Sequence, residues 1–222
     1  MPVRTTDDID LRGMVAVHNA LRRALNDATT QIAALPNGPG DARRYMDYLT
    51  EVLWLAGAHH DAEDELLAPK LKRRAPQNNA AWALITAQHH AVTSCLESVQ
   101  ESGERFATAG SPDAKKELIS ACRALYEVLD HHFSVEEQQV LPVAAEVLTA
   151  TEWGTMSVTM LDSYMGTRPW LPFGLVYEAL PPELQRKLLA QVPTAVSDMW
   201  TSRGADAFTA EMAVIRGTTG PG

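Results

Sequence analysis

Apolar side chains recur every three or four positions along most of the first 150 residues, the spacing of helices that each bury one face. The first stripe is Leu11, Met14, Val15, His18, Leu21, Leu25, Ala28 and Ile32. Thr5 or Thr6 ahead of Asp7 and Asp8 marks its expected start. Pro36-Asn-Gly-Pro-Gly40 ends it after Leu35, because proline cannot continue a helix and the glycines favour a turn. With Asp41 as cap, a second helix is expected from about Ala42 to Arg74. It carries Tyr45, Tyr48, Val52, Leu55, Ala56, His59, Glu63 and Leu66 on one face and is kinked by Pro69. A third follows Pro76 with Trp82, Ile85, His89, Val92, Leu96 and Val99, fraying at Gly103 and Gly110. Ser111-Pro112, an N-cap followed by proline at the first helical position, opens a fourth. Its stripe is Leu118, Leu125, Val128, Leu129, His132, Glu136 and Val140, closed by Pro142.

Beyond about Ala150 the pattern changes to prolines (Pro169, Pro172, Pro181, Pro182, Pro193) and tryptophans (Trp153, Trp170, Trp200). The chain therefore divides into a bundle over 1–150 and an extension over 151–222, with short helices expected at Pro182 to Gln191 and Ala205 to Ile215. Its aromatic content argues for packing on the bundle or at an oligomer interface, since disordered segments are poor in aromatics. At 222 residues and 45% apolar content, the chain can bury one sizeable core. A formal charge of −9 removes the electrostatic footprint expected of a nucleic-acid or anionic-lipid binder. No apolar run reaches the roughly 20 residues of a membrane span, and the acidic N-terminus is unlike a signal peptide, so a cytoplasmic protein is expected. Cys95 and Cys122, widely spaced, are expected to be reduced and buried rather than a disulfide or thiolate site.

The seven histidines fall at His18, His59-His60, His89-His90 and His131-His132. His59-His-Asp-Ala-Glu63 through Pro69 aligns without gaps on His132-Phe-Ser-Val-Glu136 through Pro142, and His18-Asn-Ala-Leu21 matches His89-His-Ala-Val92. Two copies of a helix pair, each with a histidine followed by HxxxE, predict an all-α, up-down-up-down four-helix bundle. About 17 residues separate His18 from the turn near Leu35 and about 18 lead back from Asp41 to His59, roughly 26 and 27 Å of helix. The same arithmetic brings His89 and His132 to that height. Each His and Glu at i and i+4 share a helix face.

His18, His59, Glu63, His89, His132 and Glu136 should therefore converge inside the bundle. Four imidazoles and two carboxylates without thiolates suit two metal ions bridged by the carboxylates, with two histidines on each, iron before manganese. His60, His90 and His131 lie about 100° from their neighbours and are expected beside the core face, near the ligands or in solvent. Val15, Leu21, Leu55, Ala56, Ile85, Val92, Val128 and Leu129, one turn from the ligands, would wall the site with apolar groups.

These residues resemble the hemerythrin-like HHE cation-binding domains over roughly residues 8 to 148, with proline six residues after each glutamate (Pro69, Pro142). The resemblance implies a non-haem di-iron centre held by the same six residues, with Glu63 and Glu136 bridging. His60 with Asp64, and His90 for His89, are alternative registers that lose the repeat. Oxygen-carrying members look like HxxxH on the third helix, where this chain has Thr93; a fifth histidine is missing there, and Thr93 could donate a hydrogen bond to a bound species instead. The four-His, two-Glu set is more similar to proteins for repair of iron centres, to iron-sensing domains, and to actinobacterial members that handle peroxide or nitric oxide and carry a C-terminal extension. The extra N-terminal domain with the cysteine motif of the repair proteins is not expected in this chain. The expected task is binding or reduction of O2, H2O2 or NO under oxidative or nitrosative stress, and the sequence does not identify a protein partner. An iron or oxygen sensor or an iron store without turnover is one alternative. Another is a di-iron oxidase or oxygenase for an organic substrate, entering under Trp170-Leu-Pro-Phe173, and a helical interaction module with incidental histidines is the last.

Overall fold

The computed structural model describes residues 9–36, 38–162 and 166–217, and these residues form helices with no strand. Helix α1 spans Arg12–Ala34, and the start expected at Thr5 or Thr6 lies outside the described residues. Helix α2 runs Pro39–Ala62, beginning three residues earlier than expected because Pro39 takes the first-turn position, where its missing N–H leaves no bond unmade. Helices α3 (Ala68–Arg74), α4 (Asn79–Ala109), α5 (Pro112–Val135) and α6 (Leu141–Val147) follow. Ser111 Oγ accepts the Ala114 N–H at 3.3 Å, the cap its sequence position requires.

Gly103 does not fray α4. The helix continues through it, and the absent Cβ leaves room for the Met46 thioether of α2, with which any larger side chain would collide. The true end is Gly110, at φ 58° in the left-handed region, where a Cβ would also press on the Gly38 backbone at 3.0 Å.

The second and fifth helices do not simply kink at their prolines. Each passes through one π-helical turn, Glu63–Leu67 and Glu136–Val140, in which the Ala68 N–H reaches Glu63 O and the Leu141 N–H reaches Glu136 O. A proline ring crowds the carbonyl four residues back, and a wider turn relieves that crowding while the chain stays helical. The irregularity begins only at the glutamate, so the His–Glu spacing before it remains α-helical in both copies.

Helix α1 packs beside α2 and α5, and α4 beside the same two, giving the antiparallel bundle with consecutive helices adjacent. Its core is built by the predicted stripes, including Leu21, Leu25, Ile32, Tyr48, Val52, Leu118 and Leu125. A second apolar cluster of Met14, Leu67, Leu71, Trp82, Ile85, Val140 and Leu141 closes the end of the bundle that contains the π turns.

The extension comprises α7 (Ala150–Asp162), α8 (Trp170–Ala179), α9 (Pro182–Gln191), α10 (Thr194–Met199) and α11 (Ala205–Ile215), with a third π turn at Trp200–Gly204. Helix α8 lies on α1 and α2, and α11 on α8. Leu171, Phe173, Leu175, Trp200, Phe208 and Met212 join the bundle core, so both parts share one apolar interior. Arg168 fastens this layer to the bundle through Glu51 on α2 and Glu211 on α11. No helix among the described residues is long and apolar enough to cross a membrane.

Candidate metal centre

Four helices deliver their histidines and glutamates to one level near the α3–α6 end. The Nε2 atoms of His18 and His132 lie 3.5 and 3.4 Å from Glu136 Oε2, while His59 and His89 Nε2 lie 3.4 and 3.6 Å from the two oxygens of Glu63. All six side chains are buried. Two overlapping groups could each hold a metal ion: His18, His59, Glu63 and Glu136 form one, and His60, Glu63, His89 and His132 the other. Within each group the ligand atoms lie within 4.8 Å of one another, and Glu63 belongs to both.

His60 corrects the expectation that it stands beside the ligand face, and it brings a fifth histidine from α2 although the third helix has Thr93 in place of one. It is buried, its Nδ1 pairs with Ala56 O at 2.6 Å, and its ring packs 4.9 Å from those of both His89 and His132. Helix α2 sits at a corner of the bundle, so adjacent residues face different neighbours: His59 turns to His18 on α1, and His60 to α4 and α5. The histidines thus divide two and three between the groups, not two and two. The other candidates for nearby roles are outside. His90 and His131 are exposed, and Thr93 is exposed with its hydroxyl donating to His89 O at 3.0 Å on its own helix.

The groups that orient the imidazoles are ones the pattern of stripes did not single out. His18 Nδ1 pairs with Glu137 Oε1 at 2.8 Å, His89 Nδ1 with Asp64 Oδ1 at 2.9 Å, and His132 Nδ1 with Gln88 Oε1 at 3.2 Å. A donor at Nδ1 fixes the tautomer whose Nε2 lone pair points inward. The repeat held the signal for two of them. Asp64 and Glu137 occupy the same place after each glutamate, and each reaches the lone histidine of the other helix pair. Arg22, one turn after His18, grips Glu137 at 2.7 Å and Asp130 at 2.8 Å. Thr93 stands at the corresponding place after His89, and the Asp64 side chain remains 49% exposed against 28% for Glu137. Phe133, aligned with His60 in the repeat, stacks on His18 with centroids 4.1 Å apart.

Eight buried atoms at the centre have no hydrogen-bond partner: Nε2 of His18, His59, His60, His89 and His132, both oxygens of Glu63, and Glu136 Oε2. Buried polar groups are rarely left this way, and lone pairs converging on common points are what a cation requires. The donor set of imidazole and carboxylate fits iron or manganese, so the residues present fit the group. Burial pushes the imidazole pKa values down, His60 to about 3 and His132 to about 2, and pushes the carboxyls up, Glu136 to about 8 and Glu63 well above its usual range.

A metal-free centre at pH 7 therefore holds neutral imidazoles and protonated carboxyls. Divalent metal uptake must expel carboxyl protons, so affinity rises with pH toward about 8 and falls in acid, where protons compete. Mixing metal-free protein with cobalt(II) in weakly buffered indicator at pH 7 should acidify the solution; uptake without proton release contradicts this protonation state.

A buried cluster of histidines and carboxylates on facing helices defines the helical-bundle class of carboxylate metal proteins. The chain matches the hemerythrin HHE cation-binding domain over residues 10–149 and belongs to that family. Comparison with curated proteins and with solved structures found no match.

Proposed function

We propose that the protein holds two iron ions, with His18 and His59 on one, His60, His89 and His132 on the other, and Glu63 and Glu136 shared, and that it binds or reduces a small oxidant such as O2, H2O2 or NO. The observation that carries this reading is the set of eight unpartnered, buried donor atoms in two groups that share Glu63. Iron bound there would supply electrons and Lewis acidity. The chain fixes the imidazoles through Ala56 O, Asp64, Gln88 and Glu137, keeps bulk water out with Leu21, Leu55, Val92 and Leu129, and limits the size of what reaches the carboxylates.

Size favours a small oxidant over an organic substrate. The cavity that touches Glu63, His89 and Glu136 has a volume of about 20 Å³, room for a molecule of only a few heavy atoms. The Trp170-Leu-Pro-Phe173 segment is packed into the core, with the Trp170 indole donating to Glu211 at 3.2 Å, and so supports no entrance for a larger molecule. Anaerobic, ferrous-loaded protein should consume hydrogen peroxide or NO at least tenfold faster than the same concentration of free ferrous iron. Equal rates would contradict turnover and favour a sensor or store.

A further inference from the structure

The cavity beside the centre is not uniformly apolar. Glu63, His89 and Glu136 form its floor, Leu67, Leu71, Trp82, Ile85 and Val140 its walls, and Lys72 and Thr86 its polar edge. Lys72 is exposed on the last turn of α3, and its Nζ donates across to Thr86 Oγ1 on α4 at 3.4 Å. Thr86 in turn donates to Trp82 O at 3.0 Å. The ammonium thus stands where the gap between α3 and α4 meets solvent, on the side of the centre where Asp64 is half-exposed. The His18 side is closed by Phe133 and by Arg22 bound to Glu137.

We propose that this gap is the entry route to the metal centre and that Lys72 selects small monoanions of one to three heavy atoms, such as azide or hydroperoxide, over cations. The inference rests on the metal-binding reading above. A positive charge at the mouth of a low-dielectric passage raises the local concentration of anions and repels cations, and the cavity's volume excludes anything larger. The Lys72–Thr86 bond bridges the two helices but is long and exposed, so it yields to an entering anion at little expense.

Charge reversal separates this role from a structural one, because it has opposite consequences for anions and cations. Lys72→Glu should slow azide association with the metal-loaded protein by about three- to tenfold and speed cobalt(II) uptake by the metal-free protein by a similar factor. Lys72→Met should fall between, and its azide rate should depend less on salt than that expected of the unaltered protein. Both rates moving in the same direction, or an azide rate unchanged in fully cobalt-loaded Lys72→Glu, would overturn the gate while leaving the metal centre intact. Failure of the unaltered protein to take up cobalt would overturn the metal reading and the gate with it.

Discussion

Glu63→Ala should leave the protein without either metal ion, His60→Ala should leave one ion firmly held, and His90→Ala or His131→Ala should leave both. This graded series follows from geometry. Glu63 offers one oxygen to the group around His18 and His59 and the other to the group around His60, His89 and His132, so its removal takes an anionic donor from both. Altering a group that merely supports a ligand weakens metal binding by about 10–100-fold, and losing a shared ligand exceeds that. His60 belongs to one group only, so its loss should weaken one ion by at least about tenfold. His90 and His131 are exposed and belong to neither group. Metal content after exhaustive dialysis checks the series, and Glu63→Ala retaining both ions would contradict the shared-carboxylate assignment.

Chelation should lower the melting temperature strongly. Metal-free protein buries five imidazole nitrogens and three carboxyl oxygens without partners, each of which opposes folding by about 1–3 kcal/mol when desolvated and unpaired. A ligand at a thousand times its dissociation constant stabilises the folded state by about 4 kcal/mol per site. For a chain of this size that corresponds to about 8–16 °C. The difference should vanish in Glu63→Ala, which has nothing to lose. An unchanged melting temperature after removal of metal would make the buried histidines incidental to stability.

Much of the bundle was legible because helix spacing and burial are the same fact seen twice. His18, Glu63, His132 and Glu136 lie on apolar stripes, and counting residues through the turns put them at one height. The π turns were not legible, since Pro69 and Pro142 announce a disturbance without saying whether the chain bends or widens its turn. His60 was misplaced because a helical wheel assigns one buried face, whereas α2 at a bundle corner meets α1 on one side and α4 with α5 on the other. Its repeat partner is Phe133, which stacks on His18, and this substitution of ring for ring makes the two halves of the centre unequal. Asp64 and Glu137 could have been found from the acidic residue that directly follows each HxxxE. Gln88 carried no such mark. The extension's short helices at Pro182–Gln191 and Ala205–Ile215 stand at the positions their proline and apolar pattern indicated. That α8 lies on α1 and α2, the helices that carry His18 and His59, is set by long-range packing that no local pattern records.

The most direct test of the central claim is an anaerobic titration of metal-free protein with ferrous iron, read by bound metal per chain and by the visible spectrum after admitting oxygen. Two ions per chain, with charge-transfer bands that are absent from Glu63→Ala, are the predicted result. Saturation below one ion per chain with a featureless spectrum would contradict it.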